Sequence, residues 1–447
     1  MPAAEQWGRA EREALILFQE LLRLDTTNPP GRETAAAELC ARKLEEAGIE
    51  TTLVGRVPDR MNVIARLKGD GTLPPLLLNA HLDVVPAEPS LWKHPPFAGE
   101  IHDGWLHGRG AVDMKNMAAL SVTLLRLLKT EGVRLKRDLI FCGSADEEAG
   151  SADGAIWLVE NHPELIRAEY GLGEVGGFSM HLAGTTFYPV MVAQKGVCWF
   201  TMRTRGEPGH GSIPRRDGAI AKLARAVDAL SRKPLPAHST PALKQMVSKL
   251  AQGARGPMKA ILPLLKNELI APRLLGALGK LSFARSFSAL IANTVSPTVL
   301  RAGSKVNVHP GSAECVVDGR TLPGQTRESF LREVREVVGE EVELDVFHDQ
   351  EPVVFPHDTE LFDEIVRAMS ELEPEAKIIP YMVPGFTDGY AFKKLGCTFY
   401  GFVPVKLPKD GPAFADLFHA NDERIPVLGF LWGLKALHRV VRGFCAA

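Results

Sequence analysis

Two short apolar runs in this chain each lead into residue types able to bind metal ions or move protons. Leu76-Leu-Leu-Asn-Ala80 ends at His81-Leu-Asp83, and Leu139-Ile-Phe-Cys142 leads to Asp146-Glu147-Glu148. Between them, the glycine-flanked loop Gly108-Arg-Gly-Ala-Val-Asp113-Met-Lys115 precedes the apolar, helix-patterned stretch Met117–Lys129. Short continuous apolar runs suit strands buried on both faces. Strand–helix–strand alternation predicts an α/β fold with a mainly parallel sheet. Ligands of such sheets bind outside the carboxyl ends of the strands, where His81 and the acidic cluster are expected. Two cations held close together need a shared anion, and an aspartate can place one oxygen on each. With the far C-terminal His419-Ala-Asn-Asp-Glu423 added, the set reads as a two-metal hydrolase. One of the adjacent glutamates would face a metal and its neighbour the attacking water.

The chain has 447 residues, too many for one ordinary core, so two domains are expected. The texture changes near Lys195. Gly196–Arg203, Thr294–Arg301, Ala313–Arg320 and Val342–Phe347 read as strands, and Asp217–Arg232 and Arg327–Val338 as helices. That order is β-α-β-β-α-β, a two-layer α+β module. The first texture returns with a helix at His357–Leu372 and the strands Ile378–Tyr381 and Thr398–Gly401. The expectation is a catalytic domain of residues 1–193 plus 354–447 carrying an inserted domain of residues 194–353, with hinges near Ala193–Lys195 and Glu351–Phe355. Residues 240–291 interrupt the insert. They are apolar and basic, broken by Gly253, Gly256, Pro257, Pro263 and Pro272 into short helices. These are expected to pack on the inserted domain, the competing reading being a hydrophobic cap or membrane-surface patch.

A net charge of -2 gives no bulk reason to expect nucleic acid or an anionic membrane as partner. Met1–Leu24 reads as an amphipathic helix, without the basic start and apolar stretch of a signal peptide. No uncharged apolar run is long enough to span a bilayer. The cysteines (Cys40, Cys142, Cys198, Cys315, Cys397, Cys445) are dispersed without a C-x-x-C pair. Buried free thiols in a reducing cytoplasm are the expectation.

The motifs resemble the di-zinc exopeptidase and deacylase family of glutamate carboxypeptidase, aminoacylase, acetylornithine deacetylase and succinyl-diaminopimelate desuccinylase. The likeness covers nearly the whole chain and includes Trp92, Pro95-Pro96-Phe97, Asp103-Gly104 and Gly108–Lys115. It implies two Zn²⁺ ions, with Co²⁺ or Mn²⁺ as alternatives. His81 and Glu174 would bind one ion, Glu148 and His419 the other, and Asp113 would bridge them. Asp83 would orient His81 through its second ring nitrogen, and Glu147 would be the base that activates the attacking water. The peptide after Asp113 would be cis. His210, in Gly209-His210-Gly-Ser212, would steady the oxyanion in a partner subunit's site, which implies a homodimer formed through a lid-like inserted domain. Asn307 and Arg320 would hold the substrate carboxylate, and Gly385 and Thr387 would border the leaving amino acid. The implied reaction is hydrolysis of the amide bond of an N-acyl amino acid or dipeptide with a free carboxylate. The apolar segment 240–291 points toward hydrophobic acyl groups or side chains. The chain departs from the family pattern at Asp422, where asparagine is usual, and at Phe386, where glycine or serine is common.

Other histidines have a structural reading: His94, His102, His107, His309 and His357. Gly171-Leu-Gly173-Glu-Val-Gly176 fits G-x-G-x-x-G, but no helix pattern follows it and Glu174 stands where a pyrophosphate would approach. A non-catalytic homologue of the same fold is the remaining alternative, and retention of Glu147 with every implied ligand argues against it.

Overall fold

The computed structural model describes residues 4–279 and 282–447. Met1–Ala3 of the expected first helix, and Lys280 and Leu281 of the basic segment, lie outside the described residues.

The largest sheet has ten strands. Its centre is the parallel run Arg137–Ser144, Leu73–His81, Tyr170–Gly173 and Thr398–Gly401. Leu76 to His81 are all buried, as the unbroken apolar run requires of a strand covered on both faces. Thr51–Val54 and Asn62–Leu67 extend one side antiparallel. On the other side Thr185–Gln194 pairs parallel with Lys377–Val383 and antiparallel with Val353–Val354. Helices Lys115–Thr130 and Val427–Cys445 bury their apolar faces in the sheet's core. Lys115 is fully buried, and its ammonium donates to the carbonyls of Leu21 (3.1 Å) and Leu24 (2.6 Å) at the end of the first helix. A cation there complements the negative end of the helix.

The strands Gly196–Arg205, Thr294–Ala302, Ser312–Thr321 and Glu343–Gln350 form a separate four-stranded antiparallel sheet. Helices Ala219–Arg232 and Arg327–Val338 share one core with it. The expected β-α-β-β-α-β order is present. The 240–291 segment differs from expectation. Its helices, beginning with Pro241–Gly253, share their core with Phe187, Ala193, Ile379 and Met382. They therefore pack mainly on strands of the large sheet, with Leu322 of the smaller module in the same core. The apolar stripe of each short helix specified burial but not against which surface.

Lys195 links the two sheets and is fully buried. Its ammonium donates to the Ala292 carbonyl (2.8 Å) and the Thr294 hydroxyl (3.2 Å). Burial lowers its pKa to about 7, with the Arg320 charge adding to the effect. The unfolded chain, where lysine titrates near ~10.4, then holds more protons between those two values. This lysine's contribution to stability should therefore rise with pH across that window. Lys115, lowered to about 8 by burial, acts in the same direction, so the informative quantity is a difference between two proteins. Thermal midpoints of wild type and Lys195→Met should converge at neutral pH less well than at alkaline pH, with the variant the flatter of the two. Parallel pH profiles would show that Lys195 is not the titrating group.

Candidate metal centre

The parallel strands aim their carboxyl ends at one place. His81 ends its strand beside Ser144, and the Asp146–Glu148 turn follows immediately. Glu174 follows the Tyr170–Gly173 strand. Its turn lies against Gly401, where a Cβ would come within 2.5 Å of the Glu174 carbonyl, so only glycine admits this approach. Asp113 stands just ahead of helix Lys115–Thr130, and the Asp113–Met114 peptide is cis, as is Glu174–Val175. His419 enters from a turn and is half-exposed, the open side of an otherwise buried cluster.

Asp113 divides its two oxygens. Oδ1 lies 3.0 Å from His81 Nε2, which is also 3.5 Å from Glu174. Oδ2 lies 3.1 Å from His419 Nε2, itself 3.2 Å from Glu148. Two groups able to hold a metal ion result, His81/Asp113/Glu174 and Asp113/Glu148/His419, with ligand atoms within 4.8 Å of one another in each. Glu148 and Glu174 each keep one buried oxygen without a hydrogen-bond partner. Such an atom is costly to leave unsatisfied, and a cation would satisfy it. Imidazole and carboxylate donors suit zinc, manganese and cobalt. The residues present fit divalent metal ions.

The electrostatics show the same excess of negative charge. Burial pushes the Glu147 carboxyl well above its usual range, and the neighbouring Glu174 adds to this. Burial raises Glu174 to about 7. Burial would lower both histidines, but hydrogen bonds to carboxylates outweigh it. His81 rises well above its usual value beside Asp113, Asp83 and Glu174, and His419 rises to about 10 beside Asp113 and Glu148. Burial likewise would raise Asp113, but hydrogen bonds from His419 and His81 hold it low.

Residues 77–443 match the family described as Peptidase family M20/M25/M40. The chain belongs to this family. It is 32% identical over 371 residues to an N-fatty-acyl-amino acid synthase/hydrolase PM20D1 of Xenopus tropicalis, covering 80% of this chain and 70% of the relative. It is 26% identical over 445 residues to Aminoacylase-1 of Pongo abelii, covering 96% and 95%. Among solved structures, an M20 family metallo-carboxypeptidase of Sulfolobus solfataricus superposes with TM-score 0.70 at 18% identity, covering 96% of this chain and 98% of the other. Human carnosine dipeptidase 1 gives TM-score 0.70 at 16% identity, covering 98% of each. As an M20 member the chain is an enzyme of a metal-dependent family of peptidase and aminoacylase-type hydrolases.

Asp83 meets the second ring nitrogen of His81 with two groups. The His81 Nδ1 atom lies 3.0 Å from the Asp83 main-chain carbonyl and 3.5 Å from its carboxylate. That carboxylate also accepts the backbone N–H groups of Glu147 (3.1 Å) and Glu148 (3.0 Å) and the Asn28 amide (2.8 Å). It holds the acidic turn in place. Thr387 is buried, and its hydroxyl donates to Gln194 Oε1 at 2.7 Å. It pins its loop to the junction between the sheets. Gly385 in the same loop faces open space.

Arg320 reaches this loop from the smaller sheet. Its guanidinium is paired with Asp318 (2.7 and 3.0 Å) and lies 5.2 Å from the Phe386 ring centroid. Its Nη1 is buried without a partner. His210 and Asn307 come together on a two-stranded ribbon, where Gly211 N–H donates to the Asn307 carbonyl at 2.8 Å. Both are exposed, and His210 Nδ1 pairs with the Ser212 hydroxyl at 2.8 Å. Among the described residues, neither hydrogen-bonds to a residue of the metal centre.

Three supporting residues had no role assigned from sequence. Asp388 accepts 2.6 Å hydrogen bonds from Ser144 and Ser151, on either side of the acidic turn. Asn28 bridges Asp83 and Asp146. Glu423 accepts the N–H groups of Gly110, Val112 and Asp113. Only Glu423 carried a signal, as the end of the His419 motif.

Proposed function

We propose that this enzyme hydrolyses the amide bond of N-acyl amino acids with an apolar acyl group, using two divalent ions, Zn²⁺ foremost, and Glu147 as general base. The observation that carries the reading is Asp113, whose two oxygens each join a separate ligand group beside a buried glutamate that belongs to neither. His81, Glu174, Glu148, His419 and Asp113 would hold the ions. Bound divalent ions polarise a carbonyl and acidify water. Glu147 takes the proton of the attacking water and returns it to the departing amine. Asp83 positions the turn that carries this base. Arg320, with an unused buried N–H, and Asn307 supply the contacts for the free carboxylate, and Gly385 leaves room for the amino acid.

The acyl preference rests on the apolar character of the side chains beside the centre. Val112, Val403, Phe414 and Phe418 border Asp113 and Glu174, and Phe178 stacks on Phe414 at 4.1 Å. The 240–291 segment gives no support, since most of its apolar residues are consumed in packing and the exposed Leu264, Leu269 and Ile270 do not border this centre. The relatives named for N-fatty-acyl-amino acids and for aminoacylase agree with this class. Release of free amino acid should be faster from long-chain N-acyl amino acids than from N-acetyl amino acids or dipeptides by at least about tenfold, since each buried methylene contributes ~0.8 kcal/mol. Equal or faster release from the small substrates would remove the apolar-acyl assignment.

His210 reaches a metal centre through a neighbouring subunit in this reading. Strand Thr294–Ala302 supports a homodimer: it is the outer strand of the small sheet, with Val299, Leu300 and the following Val306 exposed. A long apolar edge invites pairing. Sedimentation should show a dimer, and a fully active monomer would rule out the trans role of His210. The cysteines are buried and unpaired, which fits a cytoplasmic enzyme. No helix among the described residues is long and apolar enough to cross a membrane.

A further inference from the structure

A second cluster of potential ligand side chains lies apart from the candidate metal centre. Strands Glu100–His102 and Trp105–His107 form a hairpin whose turn is Asp103-Gly104, both with positive φ (50° and 79°). Such a two-residue turn fixes the register. Glu100 and His102, two apart, therefore project from one face, and Glu100 stands opposite His107. The loop before Pro95 brings in His94. Its ring stacks on His102 with centroids 3.7 Å apart and meets His107 edge-on at 4.5 Å. His102 Nε2 lies 2.9 Å from the Glu100 carboxylate.

We propose that His94, Glu100 and His102 form an accessory site for a borderline divalent cation such as Zn²⁺, Cu²⁺ or Ni²⁺. Their ligand atoms all lie within 4.8 Å of one another. A tetrahedral ion with bonds of about 2.0–2.1 Å needs them about 3.3 Å apart, a small rotation of partly exposed side chains. Two imidazoles and one carboxylate are a recurring zinc donor set that leaves a fourth position for water. His107 adds an independent observation. It is 9% exposed, and its Nδ1 is buried without a hydrogen-bond partner inside the same ring cluster. A water on the ion would give that atom a partner. The site also has a mechanical consequence. His107 pairs with Arg424, just beyond the turn that carries His419 and Glu423. An ion joining the His94 loop to this hairpin would brace the strand that follows the catalytic turn.

The test uses the full chain, stripped of metal and then equilibrated with Zn²⁺ alone. His94→Ala/His102→Ala should bind one equivalent fewer than wild type, and Glu100→Gln should weaken that equivalent at least tenfold. Equal zinc content in wild type and the double variant would overturn the proposal. Imidazole NMR of the unaltered protein gives a reading that does not depend on how the variants fold. The His94 and His102 ring signals should shift as Zn²⁺ is added beyond the amount that saturates activity. Ring signals unmoved by that excess would also overturn it.

Discussion

Glu147→Gln is expected to lower kcat by about 10²–10⁴-fold, the range a positioned general base contributes, while metal content stays at the wild-type value. The substitution keeps the shape of a buried side chain (5% exposed) and removes its ability to accept a proton. Glu147 belongs to neither metal-binding group, although its neighbour Glu148 does. The two measurements, steady-state turnover and elemental analysis, therefore separate adjacent residues. If Glu147 were itself a ligand, the glutamine would cost metal as well as rate. Wild-type turnover in the variant would remove Glu147 from the mechanism. Loss of metal would make it a ligand and leave the base unassigned. The left-handed Asp146 (φ 65°) and Gly150 (φ 103°) frame the short helical turn that carries the two glutamates.

Part of the candidate ligand cluster was legible from local signals in the sequence, while Glu174 and His419 were joined to it by the family resemblance. His81 and the acidic turn end apolar runs, Asp113 follows a glycine loop, and the parallel sheet then brings the strand ends together. The parts that were not legible depend on pairings between distant elements. Asp388 is joined to Ser144 across 244 residues, and nothing in the local pattern of either predicts the other. For Asp83, the family resemblance placed it at the His81 ring, but nothing local showed that its carboxylate also accepts the backbone N–H groups of Glu147 and Glu148. The 240–291 helices showed which of their faces must be buried. Which sheet buries them depends on the outer strands Thr185–Gln194 and Lys377–Val383, whose free surface is a property of the assembled fold.

Glu423→Ala should have the largest effect on stability, about 3–5 kcal/mol, the cost of breaking a buried ion pair by removing one partner. Glu423 is fully buried, and its carboxylate lies 2.7 Å from the Arg109 guanidinium. Arg109 is itself only 2% exposed. It would keep a long contact to the Pro86 carbonyl (3.4 Å) and its place over the Trp92 ring (5.1 Å), neither of which neutralises a buried charge. The same carboxylate accepts N–H from Gly110 (3.1 Å), Val112 (2.8 Å) and Asp113 (3.2 Å), so the alanine also releases the loop that presents Asp113. Glu423→Gln should recover little, because its amide would point N–H groups at those donors. Denaturant unfolding of metal-free protein reads the lost stability directly. A variant as stable as wild type would mean that water or a rearranged Arg109 replaces the carboxylate. Metal affinity should fall in the same variant, and excess Zn²⁺ should restore part of the stability, since an ion that binds only the folded chain shifts the equilibrium toward it. Glu147→Gln should show neither effect, because its substitution leaves every ligand and the Asp113 loop in place.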